Sequence, residues 1–152
     1  RVSKLSDIIW HQHYPSIITV EQINYMLEKF HSPDALAEQM KNGQVYFLIE
    51  MGEVIIGYCS FMKKAEGVYF LNKFYINQNQ QGKGIGKEVF RLLCEEMHQP
   101  TAITLQVNRR NIKAVNFYFK VGFTIEEAKD FPIGNGYSMD DFIMRWRNPK
   151  TS

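Results

Sequence analysis

With only two cysteines in 152 residues, Cys59 and Cys94, the chain is no disulfide-framed secreted scaffold. Cys59 falls in a strand-like pattern and Cys94 in a helix-like one, so both read as reduced core thiols of a cytoplasmic protein. Charge of one sign is also scarce. Lys and Arg total 18 against 16 Asp and Glu, a formal charge of +2 with no basic block, so no nucleic acid partner is expected. No apolar stretch approaches the ~20 residues of a membrane-crossing helix and no signal-peptide pattern opens the chain, so no membrane partner is expected either. His11-x-His13 lacks a third ligand at a sensible spacing, which leaves no metal expected. The chain opens at Arg1 rather than Met, so a few residues are expected to precede it.

At 45% hydrophobic, 14% aromatic and 22% charged, the composition is that of a globular chain. One domain over residues 1–152 is expected, large enough to bury roughly 70% of its unfolded surface. Three helices come first. Leu5, Ile8, Ile9 and Tyr14 mark the apolar face of one stopped by Pro15. Thr19 caps a second with Gln22 as capping-box partner, buried through Ile23, Met26, Leu27 and Phe30. Ser32 and Pro33 start a third that faces inward through Leu36 and Met40 and ends at Asn42-Gly43. His31 and His98 are placed at the surface near helix ends. Strands follow over 44–51, 53–63 and 68–76, with Gly57 marking a bend or bulge. A helix with Ile85, Val89, Leu92, Leu93 and Met97 as its apolar stripe leads to a strand over 101–107, making a β-α-β unit with a right-handed crossover. Two last strands, 124–129 and 137–147, flank Pro132-Ile133-Gly134-Asn135-Gly136, read as a hairpin connection.

The stretch Gln81-Gly82-Lys83-Gly84-Ile85-Gly86-Lys87 stands between the strand over 68–76 and the next helix. Glycine admits close backbone approach and the helix N-terminus favours negative charge, so the turn is an anion site. It is not a nucleotide P-loop, because Gln81 occupies the first glycine position and Glu88 that of the Mg²⁺-binding hydroxyl. It is not the dinucleotide fingerprint, because Val89 stands where the third glycine belongs. What fits is Gln-x-x-Gly-x-Gly, as Gln81, Gly84 and Gly86, which resembles the acyl-coenzyme A pyrophosphate loop of the GNAT N-acetyltransferases. A second stretch, from Asn108 to Phe123, reads as a helix capped by Asn111 with Ala114, Val115, Tyr118 and Val121 inward and Gly122 as its C-terminal stop. It also resembles the second GNAT signature: Asn111-x-x-Ala114, then Phe117-Tyr118, then Gly122-Phe123.

The resemblance implies an α/β fold, the GNAT acyl-coenzyme A N-acyltransferase fold: a central, mostly antiparallel mixed sheet with one parallel, splayed strand pair and flanking helices. It implies acetyl-coenzyme A as cosubstrate. The backbone of Phe74, Tyr75 and Ile76 would pair with the pantetheine arm, and Gln81 would open the loop. The amides of Gly82, Lys83, Gly84, Ile85, Gly86 and Lys87 would hold the pyrophosphate. Asn111 would lie beside the pantetheine, and Ala114 and Phe117 would wall the channel. Lys83, Lys87, Arg91, Arg109, Arg110 and Lys113 cluster by sequence around the phosphate-facing turns, each more expected at the solvated surface than on a phosphate. Tyr118 would be the general acid; a phenol of pKa ≈ 10 placed beside the sulfur can donate to a thiolate whose conjugate acid is near 8.5.

The attacking amine must first lose a proton, at a cost of ~4.6 kcal/mol at pH 7 for an alkylammonium. Several GNAT enzymes keep a glutamate on the strand before the loop, but this chain has Phe70 there, with Asn72 its nearest polar neighbour. The base is therefore unassigned. The segments Tyr14–Ile18, Glu21–Leu27 and Gly134–Asp141 also resemble a bacterial subgroup typified by the PaiA spermidine/spermine acetyltransferases. That makes polyamines the leading substrates, with Glu21, Glu28, Asp34, Glu38, Asp140 and Asp141 the carboxylates available to their ammonium groups. The alternatives are acetylation of a protein N-terminus or lysine, and a coenzyme-binding regulatory protein without catalysis. Met139, Phe142, Met144 and Trp146 on the last strand offer a face for a homodimer.

Overall fold

A computed structural model describes residues 1–77, 79 and 84–151. Three helices open the chain, α1 (Val2–His13), α2 (Val20–His31) and α3 (Pro33–Lys41). They are followed by β1 (Val45–Met51), β2 (Val54–Ala65), β3 (Val68–Ile76), α4 (Ile85–Glu96), β4 (Ala102–Asn108), α5 (Ile112–Val121), β5 (Phe123–Gly134) and β6 (Tyr137–Arg147). The strands form one six-stranded sheet in the order β1-β2-β3-β4-β6-β5. β3 and β4 run parallel around α4, while β1–β2, β4–β6 and β5–β6 are antiparallel. This is the mixed sheet that the sequence resemblance implies. Two compact units divide the chain: Arg1–Met62 with Lys73–Ile85, and Lys63–Asn72 with everything from Gly86 onward.

The first unit is built on aromatic packing. Trp10 stacks on Tyr14 at 4.4 Å between ring centroids, and His31, Tyr58 and Tyr75 close the cluster with centroids 4.9 to 6.2 Å apart. His31 is thus a core residue, 3% exposed, and not the surface residue expected from its place at the end of α2. Burial and the neighbouring Lys73 charge push its pKa down to about 3, so the ring is neutral, with Nδ1 3.2 Å from the Tyr58 hydroxyl. The buried face of α1 is Ser6, Ile9 and Trp10 rather than one including Ile8, which is 51% exposed. Met40 of α3 is likewise exposed while Leu36 is buried. The caps stand where expected: Thr19 accepts the Gln22 amide and Ser32 the Ala35 amide.

Lys73, absent from the sequence-level candidates, is buried in this unit. Its ammonium reaches the Gln39 side-chain oxygen at 2.6 Å, the Phe30 carbonyl at 3.3 Å and the Tyr46 hydroxyl. Burial pushes its pKa down to about 7. Between pH 7 and the ordinary lysine value near 10.4 the unfolded chain holds a proton that the native chain has lost, so unfolding takes up a proton and stability rises with pH. From pH 7 to 8.5 the rise is about 2 kcal/mol for this group. Urea unfolding at both pH values should show that increment in the wild type and lose it in Lys73→Met; equal increments in the two proteins would refute it.

The second unit packs α4 and α5 on β4, β6 and β5. Phe90 and Leu93 are the buried side of α4, with Met97 buried just past its end and Leu92 46% exposed, so the helix is rotated by about a quarter-turn from the expected stripe. Phe90 meets Phe123 and Trp146 edge-on, each at 5.7 Å. Met144 and Trp146 are therefore core residues and not part of a free dimer face. β5 runs through Pro132 to Gly134, leaving only Asn135 and Gly136 as the connection. Proline is tolerated there because β5 is an edge strand whose register shifts between Pro132 and Gly134.

Candidate functional site

The first turn of α4 is the candidate anion-binding end of the site. Gly84 precedes it with φ of +74°, and Ile85, Gly86 and Lys87 are its first residues. Amide groups at a helix start have no intrahelical acceptor and so face a ligand. Gln81, Gly82 and Lys83 lie outside the described residues. A Cβ at Gly86 would stand 2.7 Å from the Phe117 ring, so only glycine lets α4 sit this close to α5. The contact sets Gly86 of the first signature against Phe117 of the second within one unit.

Across that contact, α5 begins at Asn111, whose side-chain oxygen accepts the Ala114 amide at 3.3 Å, and ends at Gly122 in the left-handed region. Ala114 and Phe117 are half-buried beside it. Tyr118 is 8% exposed, with its ring edge-on to Phe117 at 5.5 Å and to Phe123 at 5.4 Å. Gly86, Lys87, Asn111, Ala114, Phe117 and Tyr118 are thus gathered in one unit. Phe74, Tyr75, Ile76, Gly84 and Ile85 belong to the other. In that unit a bulge in β2 sets the end of β3. Ile49 pairs with Gly57 and Glu50 with Ile55, leaving Ile56 extra, and the Ile56 carbonyl accepts the Asn77 amide at 2.7 Å. Among the described residues the parallel register runs from Val68↔Ala102 to Leu71↔Leu105, although β3 continues to Ile76 and β4 to Asn108.

Among the described residues, two of these cations are held by carboxylates. Arg91 is held by Glu88 at 2.5 Å and Glu95 at 2.6 Å, and Arg109 by Asp130. Lys87, Arg110 and Lys113 are exposed near the helix starts. Phe70 is half-buried with the Lys64 ammonium 5.9 Å from its ring, so β3 presents no carboxylate there. Of the six carboxylates set aside for an amine, Glu21, Glu28, Asp34, Glu38 and Asp140 are exposed and Asp141 is buried. The sequence shows adjacent aspartates on a strand; which one turns inward is fixed by strand register, which no local signal gives.

A family model for acetyltransferases (GNAT) matches residues 5–123, which include both signatures and the helix and strand between them. The chain belongs to the acetyltransferase (GNAT) family. Over 68 residues it is 32% identical to the spermine/spermidine N(1)-acetyltransferase of Bacillus subtilis (strain 168), and equally to the probable spermine N(1)-acetyltransferase of Bacillus subtilis subsp. natto (strain BEST195). Those alignments span 43% of this chain and 45% of each relative, so the chain spans less than half the length of the curated relatives it matches. In fold it is similar to the PaiA N-acetyltransferase of Thermoplasma acidophilum, solved in complex with coenzyme A. The TM-score is 0.78 at 22% identity, over 96% of this chain and 90% of that one.

Proposed function

We propose that this GNAT protein moves the acetyl group of acetyl-coenzyme A to a primary amine of a small polyamine such as spermidine or spermine, with Tyr118 as general acid. The observation that carries the reading is the Gly86–Phe117 contact, which seats the anion-binding turn of α4 against the helix bearing Asn111 and Tyr118. These groups fit the coenzyme: helix-start amides for phosphates, the Asn111 side chain for an amide-bearing arm, and the Ala114 and Phe117 surfaces for its apolar length. Acetyl-coenzyme A supplies the activated thioester. The neutral amine nitrogen forms the new bond to the acetyl carbon as the carbon–sulfur bond breaks, the Tyr118 hydroxyl proton passes to the departing sulfur, and the proton lost by the new amide nitrogen restores the phenol. The polyamine preference is supported by the partial identity to the two Bacillus subtilis relatives.

Free-thiol release from acetyl-coenzyme A at about pH 8, where more of an alkylamine is neutral than at pH 7, tests this with spermidine, spermine, putrescine, an aminoglycoside and two peptides. Turnover on the polyamines is the expected result. Turnover on the peptides alone would replace it with protein acetylation. Coenzyme binding with no turnover on any acceptor would replace it with a regulatory role.

A further inference from the structure

Helical spacing sets Asn24, Leu27, Glu28 and His31 on one face of α2, at i, i+3, i+4 and i+7. With Asp7 of α1 and Pro33 of α3 they border a cavity of about 220 Å³. These residues lie in the first unit, and none is assigned above to the coenzyme or to proton transfer. The volume is below the ~300–1,000 Å³ of drug-sized sites, so a ligand here is small.

Two carboxylates and one ring nitrogen face this space with bonding capacity to spare. The charged neighbour of Asp7 is His11, 3.6 Å away on the same helix, and the Glu28 carboxylate has neither cation nor donor among the described residues. Asn24 Oδ1 is taken by His11 Nε2 at 3.0 Å. His31 is 3% exposed, and its ring is neutral because burial and the Lys73 charge oppose protonation. Its Nδ1 lies 3.2 Å from the Tyr58 hydroxyl, which has no other acceptor among the described residues. Tyr58 therefore donates to Nδ1, because a buried hydroxyl hydrogen left unpaired is costly. A neutral imidazole that accepts at Nδ1 carries its hydrogen on Nε2. Nε2 has no partner among the described residues. It is also not sealed from water, since Trp10 Nε1 is the one buried and unpaired side-chain atom among them. Nε2–H is thus a donor open to the cavity that His31 borders.

Ammonium groups complement the carboxylates, and an uncharged oxygen complements Nε2–H. A simple polyamine offers the first without the second, because a protonated amine has no lone pair to accept with. Among the described residues no three His, Cys, Asp or Glu side chains converge as metal ligands, so the charge to be matched is that of an organic cation. We propose that this cavity binds a small hydroxylated diamine, its ammonium groups held by Asp7 and Glu28 and its hydroxyl oxygen accepting from His31 Nε2. Leu27 and Pro33 border the same space and suit the carbon chain between the polar groups. The site goes beyond the acetyl-transfer reading and stands or falls apart from it, since binding here needs no turnover.

Calorimetric titration of the full chain without coenzyme tests this with 1,3-diamino-2-propanol and 1,3-diaminopropane, a pair that differs by one hydroxyl. The hydroxylated diamine should bind roughly three- to tenfold tighter, the worth of one hydrogen bond. Glycerol, which lacks the ammonium groups, should not bind measurably. Asp7→Asn and Glu28→Gln, both at exposed positions, should each weaken the two diamines several-fold, and added salt should weaken them further. Nitrogen NMR of the histidine rings reads the donor directly. The His31 ring should be Nε2-protonated, and its Nε2–H signal should move with the hydroxylated diamine and stay with 1,3-diaminopropane. A ring protonated at Nδ1, or equal affinity for the two diamines, would overturn the proposal. So would wild-type affinity in both carboxylate variants, because the diamine would then be bound elsewhere. Each of these outcomes leaves the acetyltransferase reading untouched, just as a wild type inert toward every polyamine leaves this site untouched.

Discussion

Tyr118→Phe is expected to lower the rate of acetyl transfer to spermidine by roughly 10²–10⁴-fold while coenzyme A affinity stays within a few-fold of wild type. The substitution removes one hydroxyl and keeps the ring. That ring is where the packing lies: 8% exposed, edge-on to Phe117 and Phe123, on the inward side of α5 with Val115. Phenylalanine keeps both ring contacts, so a loss of rate with an unchanged melting temperature isolates the hydroxyl. Single-turnover measurement is the right readout, because slow product release would mask a loss in the chemical step. A variant within threefold of wild type would mean that the thiolate departs without help from this residue. The leaving group adds a second reading. Without the phenol the sulfur must leave as the anion or draw its proton from water, so more activated thioesters should lose less than acetyl-coenzyme A does.

How much of this was legible in the sequence divides along a physical line. Signals confined to one turn of chain were readable: Thr19, Ser32 and Asn111 cap helices because a side-chain oxygen reaches an amide two or three residues on. Gly122 ends α5 because only glycine enters the left-handed region there without a steric penalty. The two coenzyme signatures were readable for the same reason, since the loop and the helix start are each local. Their contact was not, because a glycine at position 86 says nothing of the Phe117 ring 2.7 Å from its missing Cβ. Helical periodicity fixes the spacing of an apolar stripe but leaves its phase open by a residue. Periodicity thus points Ile8 and Leu92 inward, whereas Trp10 and Phe90, each two positions away, carry the packing. Buried polar groups are least legible of all. His31, Lys73 and Asp141 are residue types that composition assigns to water, and each is brought inside by partners 27 to 43 residues away or by strand register.

Gly57→Ala is expected to cost about 3 kcal/mol of stability, near the upper end for overpacking, and to lower the melting temperature by roughly 6–12 °C. A Cβ there would fall 2.2 Å from the Tyr75 carbonyl oxygen and 3.0 Å from the Ile76 Cα. Both are backbone atoms, so no side chain can rotate out of the way. The strands must separate, or the bulge that carries Ile56 must be rebuilt, and its hydrogen bond to the Asn77 amide goes with it. The same residue thus governs stability and the segment Phe74–Ile76, whose backbone the GNAT resemblance assigns to the pantetheine arm. That gives the substitution a second, separable consequence. If β3 is the coenzyme's docking edge, coenzyme A affinity should fall at a temperature where the variant is still fully folded, in contrast to Tyr118→Phe, where affinity is kept and rate is lost. Calorimetric titration below the transition of each variant distinguishes the two. Unchanged coenzyme affinity in a destabilised Gly57→Ala would confine the bulge to a structural role and remove Phe74, Tyr75 and Ile76 from the coenzyme site.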